Sequence, residues 1–230
     1  LGPISPPTPP ASPAGELPRP EPFPGPMTEI VEAMLRSSAK PRKGLAIVAA
    51  LAGMAAACNG RVHLPEGEMR LNLFLTALLN TGAGKEGALR VAEELAGAAG
   101  ATVTGKPPSG AALEGMLTDY GALLVQVDEA GHLLAAMNSR GAPNYLTDLA
   151  SVLLQVYSRS GSSYPTRARA TGSKEDKASR TVRHPAVSVV LFATPEKYAD
   201  AVGEINVYSG DMGRHLFYIG ATPVRQRRIR

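Results

Sequence analysis

At 230 residues and 44% hydrophobic content, the chain has the length and apolar share of a globular protein with one main domain. Its one cysteine, Cys58, excludes an intramolecular disulfide and a multi-cysteine zinc site, and it suits a reducing, cytoplasmic compartment. The formal net charge of +4 favours anionic partners; the cations cluster between Arg159 and Arg183 and again at Arg225, Arg227, Arg228 and Arg230.

Residues 1–26 hold most of the prolines, a composition that favours polyproline II and cannot supply a packed core, so they are expected to be a disordered linker. With Leu1 as its first residue, the chain is expected to be a piece of a longer protein. Residues 27–62 form an N-terminal helical segment: the pattern is helical from Met27 to Ala39, with Ile30, Val31, Met34 and Leu35 on one face, and again from Lys43 to Ala57. These two stretches predict a helical hairpin. The apolar run Gly44–Ala57 is too short to span a bilayer, so no membrane role is expected.

The main domain is expected over residues 63–220. Arg70–Leu79 is a near-continuous apolar run, short enough for a fully buried parallel strand. A helix is predicted over Glu86–Ala99, a strand over Ala101–Thr104, a helix over Ser109–Thr118 capped by Ser109, and a strand over Ala122–Val127. There follow a helix around Tyr145–Tyr157, a long polar loop over 158–184, a strand over Ala186–Ala193, a helix opened by Pro195 and a strand over His215–Ile219. Residues 221–230 are a basic tail. Strands alternating with helices predict an α/β fold with a mainly parallel sheet flanked by helices.

The loop Thr81-Gly82-Ala83-Gly84-Lys85 stands between a buried strand and a helix. Backbone N–H groups of a glycine turn, a lysine and a positive helix terminus together make a cradle for phosphate. The usual GxxxxGK[ST] pattern is broken twice, by Leu79 at the first glycine position and by Glu86 where a hydroxyl would bind magnesium. About forty residues on, the strand ALLVQV ends in Asp128-Glu129. Asp128 is placed to hold Mg2+ through water, and Glu129 to orient or deprotonate a water attacking the γ-phosphate of ATP. Glu86 either ligates the metal directly or repels the phosphates. The plain alternatives are a glycine turn carrying a surface lysine and a strand followed by an acidic turn. His63, His132, His184 and His215 show no metal-ligand spacing; His132, just past the carboxylates, is either structural or a nucleotide sensor.

The stretches FPGPMTEIVEA, NLFLTALLNTGAGKE, LLVQVDEAGHLLAAM, HPAVSVVLFATPEKYADAV and GDMGRHLFYIG resemble a family of P-loop proteins of phages and mobile elements, the DUF3987 or YfjI-like family. The resemblance runs from about Phe23 to Gly220. It implies a RecA-like, helicase-like ATPase associated with primase modules and acting in DNA replication. It also gives roles to two more residues. Thr194 becomes a polar sensor of the γ-phosphate, or else a helix cap ahead of Pro195. Arg214 becomes a finger reaching a neighbouring subunit's nucleotide in a homo-oligomer such as a hexameric ring, or else a local partner of Asp211.

Between Ser158 and Arg183 lie Arg159, Arg167, Arg169, Lys174, Lys177, Arg180 and Arg183 against only Glu175 and Asp176. These cations, with Tyr157 and Tyr164 to stack on bases, are expected to bind single-stranded DNA, unless the segment is simply a solvated loop. The rival functions are a non-catalytic nucleotide-binding scaffold for a primase or polymerase, favoured by Glu86, and a DNA-packaging ATPase.

Overall fold

The computed structural model describes residues 25–58, 62, 70–139, 141–168, 179–203 and 210–220. The proline-rich linker up to residue 24, the basic tail 221–230 and the loop cations Arg169, Lys174 and Lys177 lie outside the described residues. Pro26 opens helix α1 (Pro26–Ser37), where its fixed φ and missing N–H cost nothing. Met27, Val31 and Met34 make the buried stripe of α1. Helix α2 (Lys43–Cys58) packs on it and is buried almost all round, its alanines allowing a close approach of neighbouring backbones.

Strands β1 (Phe74–Leu79), β2 (Thr102–Thr104), β3 (Ala122–Val127), β6 (Ala186–Ala193) and β7 (His215–Gly220) form a five-stranded sheet in the order β2-β3-β6-β1-β7. Every neighbouring pair is parallel. Helices α3 (Lys85–Ala98), α4 (Gly110–Tyr120), α5 (Ala130–Asn138), α6 (Asn144–Ser158) and α7 (Pro195–Ala201) connect or flank these strands. Because side chains alternate along a strand, the sheet feeds two cores. Leu75, Ala77, Leu79, Leu124, Val190 and Phe192 join α1, α2 and α3 on one face. Phe74, Leu123, Val125, Val127, Val187, Val189 and Leu191 join α4 and α6 on the other. Phe74 and Phe192, at 2% and 1% exposure, contribute roughly 1.5–3 kcal/mol each by burial. The expected α/β fold with a parallel sheet between helices is thus observed, preceded by the helical hairpin.

Two segments differ from expectation. Ala130–Asn138 is a helix although it begins without a conventional cap: Glu129 enters it in the left-handed region, at φ 54°. The segment read as one loop from 158 to 184 contains an antiparallel pair, β4 (Ser163–Pro165) and β5 (Thr181–Arg183). Its polar flanks conceal two opposed apolar residues, Tyr164 and Val182, that insert into the second core. No helix among the described residues is long and apolar enough to cross a membrane.

The contact between α2 and α3 depends on Gly53, where an added Cβ would lie 2.7 Å from Leu95 Cβ and 3.2 Å from the Ala92 carbonyl. Gly53→Val is expected to lower unfolding free energy by about 1–3 kcal/mol in urea titrations, by overpacking. Gly97 of α3 faces open space, so Gly97→Ala is expected to raise it by about 0.5–1 kcal/mol. An unchanged midpoint for Gly53→Val would contradict the close helix contact.

Candidate functional site

Strands β1, β6 and β3 end on one edge of the sheet: Leu78 is level with Ala193, and Val127 with Leu191. The loop after β1, Thr194 after β6 and Asp128-Glu129 after β3 therefore leave neighbouring strands on the same side. In parallel α/β sheets this carboxyl edge is where ligands bind.

The glycine loop has a defined shape. The Ala83 N–H donates to the Asn80 carbonyl at 3.2 Å, closing the turn. Gly82 and Gly84 lie at φ 71° and 87°, in the region that disfavours any side chain. Between them Ala83 is buried and pins the loop to the first core, while Thr81 is exposed at the rim. Gly84 leads directly into the fourteen-residue α3, whose first-turn N–H groups lack partners within the helix. Leu79 is the last residue of β1, only 2% exposed, and pairs with Gly220, so it belongs to the core below the loop.

Lys85 begins α3, and its Nζ donates to Asp128 Oδ1 at 2.5 Å. The same oxygen accepts the Glu129 N–H at 2.8 Å. Charge-assisted bonds of this kind hold both side chains at the loop. Glu129 carries its exposed carboxylate on a left-handed backbone, a conformation that costs a non-glycine residue on the order of 1 kcal/mol or more and that clusters at functional sites. Its Oε2 lies 4.0 Å from His132 Nε2, which is 3.1 Å from Lys197 Nζ on α7. Thr194 caps α7: its hydroxyl accepts the Lys197 N–H at 3.3 Å and retains its own proton to donate elsewhere. Glu86 is exposed in the first turn of α3, where the helix dipole favours a carboxylate. Among the described residues no three His, Cys, Asp or Glu converge on one point, so a divalent cation here would complete its shell with phosphate oxygens and water.

Two residues singled out from sequence lie elsewhere. Arg214 precedes β7, whose first residue is level with Phe74 at the start of β1. Six-residue β1 separates that end from the glycine loop by roughly 20 Å. There the Arg214 guanidinium donates to the Gly210 carbonyl at 2.7 Å and to Ser158 Oγ at 3.2 Å, and it stands over the Tyr157 ring at 5.7 Å. Arg167 is held by two carboxylates. Its Nε is 3.2 Å from both oxygens of Glu114, and its two terminal nitrogens donate to Asp148. The Glu114 side chain is 4% exposed and also accepts the Tyr164 hydroxyl at 2.7 Å. Burial, then that bond, pushes the Tyr164 hydroxyl well above the usual tyrosine range. The cluster therefore ties the β4–β5 hairpin to α4 and α6. Arg159 remains exposed, with one bond to the Ser163 carbonyl at 3.3 Å.

Two contributors were not legible as site residues. Lys40, in the turn between α1 and α2, donates from Nζ to the Gly82 carbonyl at 2.6 Å and so touches the glycine loop. The basic run Lys40-Pro41-Arg42-Lys43 was the available signal. Lys197 gives none, since an exposed lysine in a helical turn is commonplace. No protein-family model and no curated protein matches this chain, so the chemistry of the site has to come from its own geometry.

Arg167→Met leaves the Glu114 carboxylate buried without its cation, and a loss of about 3 kcal/mol is expected in chemical denaturation. Glu114→Met together with Arg167→Met should recover at least half of it, because the double change removes both charges. A single variant costing under about 0.5 kcal/mol would show that the pair does not secure the hairpin.

Proposed function

We propose that the chain is a RecA-like P-loop module that binds ATP with Mg2+ and hydrolyses it, working as a helicase-like component in DNA replication of a phage or mobile element. The observation that carries the proposal is the Lys85–Asp128 pair at 2.5 Å, which draws the glycine loop and the acidic strand end together across β6. A strand, a left-handed glycine turn, a lysine at a helix start and two carboxylates on a nearby strand form a set fitted to a metal-bound polyphosphate.

In this mechanism the N–H groups from Gly82 to Lys85 cradle the phosphates, and the Lys85 ammonium balances the charge of the β- and γ-phosphoryl oxygens. Asp128 and Glu86 are the carboxylates that would hold Mg2+, directly or through water. Mg2+ held there would offset the charge that develops during transfer. Glu129 accepts the proton of the attacking water as its oxygen bonds to the γ-phosphorus and the bond to the bridging oxygen breaks. Thr194, between the two, has a hydroxyl proton to offer the γ-phosphate. Arg214 lies far from this loop, so a finger role for it requires an adjoining subunit in a ring. The exposed Arg159 and Arg180 beside the β4–β5 hairpin and Arg183 within β5 are the described cations suited to single-stranded DNA.

Glu86 favours a second function, a nucleotide-binding scaffold without turnover that recruits a primase or polymerase, because it replaces the hydroxyl ligand with a negative charge. ATP turnover, with and without single-stranded DNA, separates the two. Lys85→Ala is expected to weaken ATP binding about tenfold or more. Glu129→Gln should keep binding and reduce turnover by about 10²-fold or more. Turnover in Glu129→Gln equal to the parent would remove Glu129 as the base. Tight binding with no turnover in the parent would identify the scaffold.

A further inference from the structure

We propose that the cavity between the α1–α2 turn and α3 receives the nucleoside half of the nucleotide, with adenine as the base and Lys40 as its clasp; this rests on the nucleotide function proposed above. The cavity measures about 440 Å³, within the range of roughly 300–1,000 Å³ usual for small-molecule sites. One wall is the segment Ser37–Lys40, the other is α3 from Glu86 to Val91, and Gly82 and Gly84 of the glycine loop adjoin both.

The direction of a bound nucleotide follows from the faces of α3. Lys85 and Leu89, one helical turn apart, look toward β3: Lys85 holds Asp128, and the Leu89 carbonyl accepts Gln126 Nε2 at 3.0 Å. Glu86 and Arg90, with Gly87 and Val91, occupy the next strips of the helix and line the cavity. A γ-phosphate placed against Asp128 and Glu129 therefore sends the α-phosphate and nucleoside round the start of α3 into this space.

The lining suits a purine. Met34 and Val91 supply apolar walls for the ring faces. Lys40 runs its hydrocarbon stem along the rim, its Cβ 3.5 Å from where a Cβ at Gly84 would stand, and ends with its ammonium on the Gly82 carbonyl at 2.6 Å. That stem offers a flat apolar edge to a base, and its charge sits beside the path of the phosphates. Guanine would call for a carboxylate facing its paired N–H donors, but among the described residues the one carboxylate lining the cavity, Glu86, lies at the phosphate end. Adenine needs one acceptor and one donor; with the Ser38 N–H bonded to the Met34 carbonyl and the Lys40 N–H to Ser38 Oγ, the Ala39 peptide is the group of the turn that would meet it.

Gly87 gives a direct test, because it lines the cavity and a Cβ there meets nothing within 4 Å beyond its own stretch of helix, so a Phe side chain can start into that space. Binding of ATP, GTP and inorganic tripolyphosphate, each with Mg2+, would be measured calorimetrically for the parent, Lys85→Ala and Gly87→Phe. Gly87→Phe is expected to weaken ATP about tenfold or more and to leave tripolyphosphate within about twofold; GTP should bind the parent about tenfold more weakly than ATP. Unchanged ATP binding in Gly87→Phe, equal losses for ATP and tripolyphosphate, or equal ATP and GTP affinity would overturn the proposal. If the parent binds neither ATP nor tripolyphosphate, the nucleotide function fails and the nucleoside site with it. Photolabelling of the parent by 8-azido-ATP needs no variant: label within residues 34–43 or 86–91 supports the site, and label confined elsewhere sinks it.

Discussion

The Lys85–Asp128 contact sets the terms for the rest of the molecule. The two residues are 43 positions apart and leave different strands, yet Nζ and Oδ1 lie 2.5 Å from each other. The contact is made across the single strand β6, with β1 and β3 parallel and β1 running on to Leu79 past Thr76, the residue level with the end of β3 at Val127. A one-residue slip in any of these pairings would exchange the two core faces and point the buried leucines and valines of β3 and β6 into the wrong layer. The hydrophobic register and the charged contact thus specify the same arrangement, and each makes the other harder to lose.

The sheet separates two kinds of charged chemistry. At its carboxyl edge Lys85, Glu86, Asp128 and Glu129 lie near the surface beside the left-handed backbone of Gly82, Gly84 and Glu129 itself, where charges stay hydrated enough to exchange partners. Near the hairpin, Glu114 is withdrawn from solvent and fastened by Arg167 and Tyr164, with Asp148 holding the other side of the guanidinium. The first cluster has low cost of rearrangement and the second a high one. A hairpin fixed in that way presents Arg159, Arg180 and Arg183 from a rigid base rather than from a free loop.

Patterns confined to one element were readable from the chain alone. Strands β3 and β6 occur over the residues expected, since uninterrupted apolar runs bounded by glycine, proline or acid leave little choice. Ser109 caps α4 through the Ala112 N–H, and Thr194 caps α7, as their positions ahead of helical stretches suggested. Features that depend on partners distant in sequence were hidden. Glu114 stands among ordinary polar and apolar neighbours in α4, and only the return of Tyr164 and Arg167 from about fifty residues later shows that it is buried and bonded. Arg167 looked like one cation among seven for the same reason. Lys40 belongs to the helical segment ahead of the main domain, and its bond to Gly82 exists because α2 lies against α3 and brings the preceding turn over the glycine loop.

The two departures from the usual phosphate-loop pattern have separate physical origins. Leu79 extends β1 by one residue and fills core space beside Gly220, so the turn begins at Asn80 and the loss of a glycine there is a matter of packing. Glu86 is electrostatic. It sits beside Lys85 in sequence but on a different strip of α3 from the face that meets Asp128, so carboxylates stand on both sides of the lysine. A triphosphate approaching this loop would meet three carboxylates, Glu86, Asp128 and Glu129, and two ammonium groups, Lys85 and Lys40. Like charges about 4 Å apart at a protein surface repel by about 4 kcal/mol, enough to cancel one favourable lysine contact. A divalent cation between phosphate and carboxylate reverses that sign, because each repelling pair becomes two attractive ones. On the proposed function, the same Glu86 would oppose free nucleotide and favour its metal-bound form.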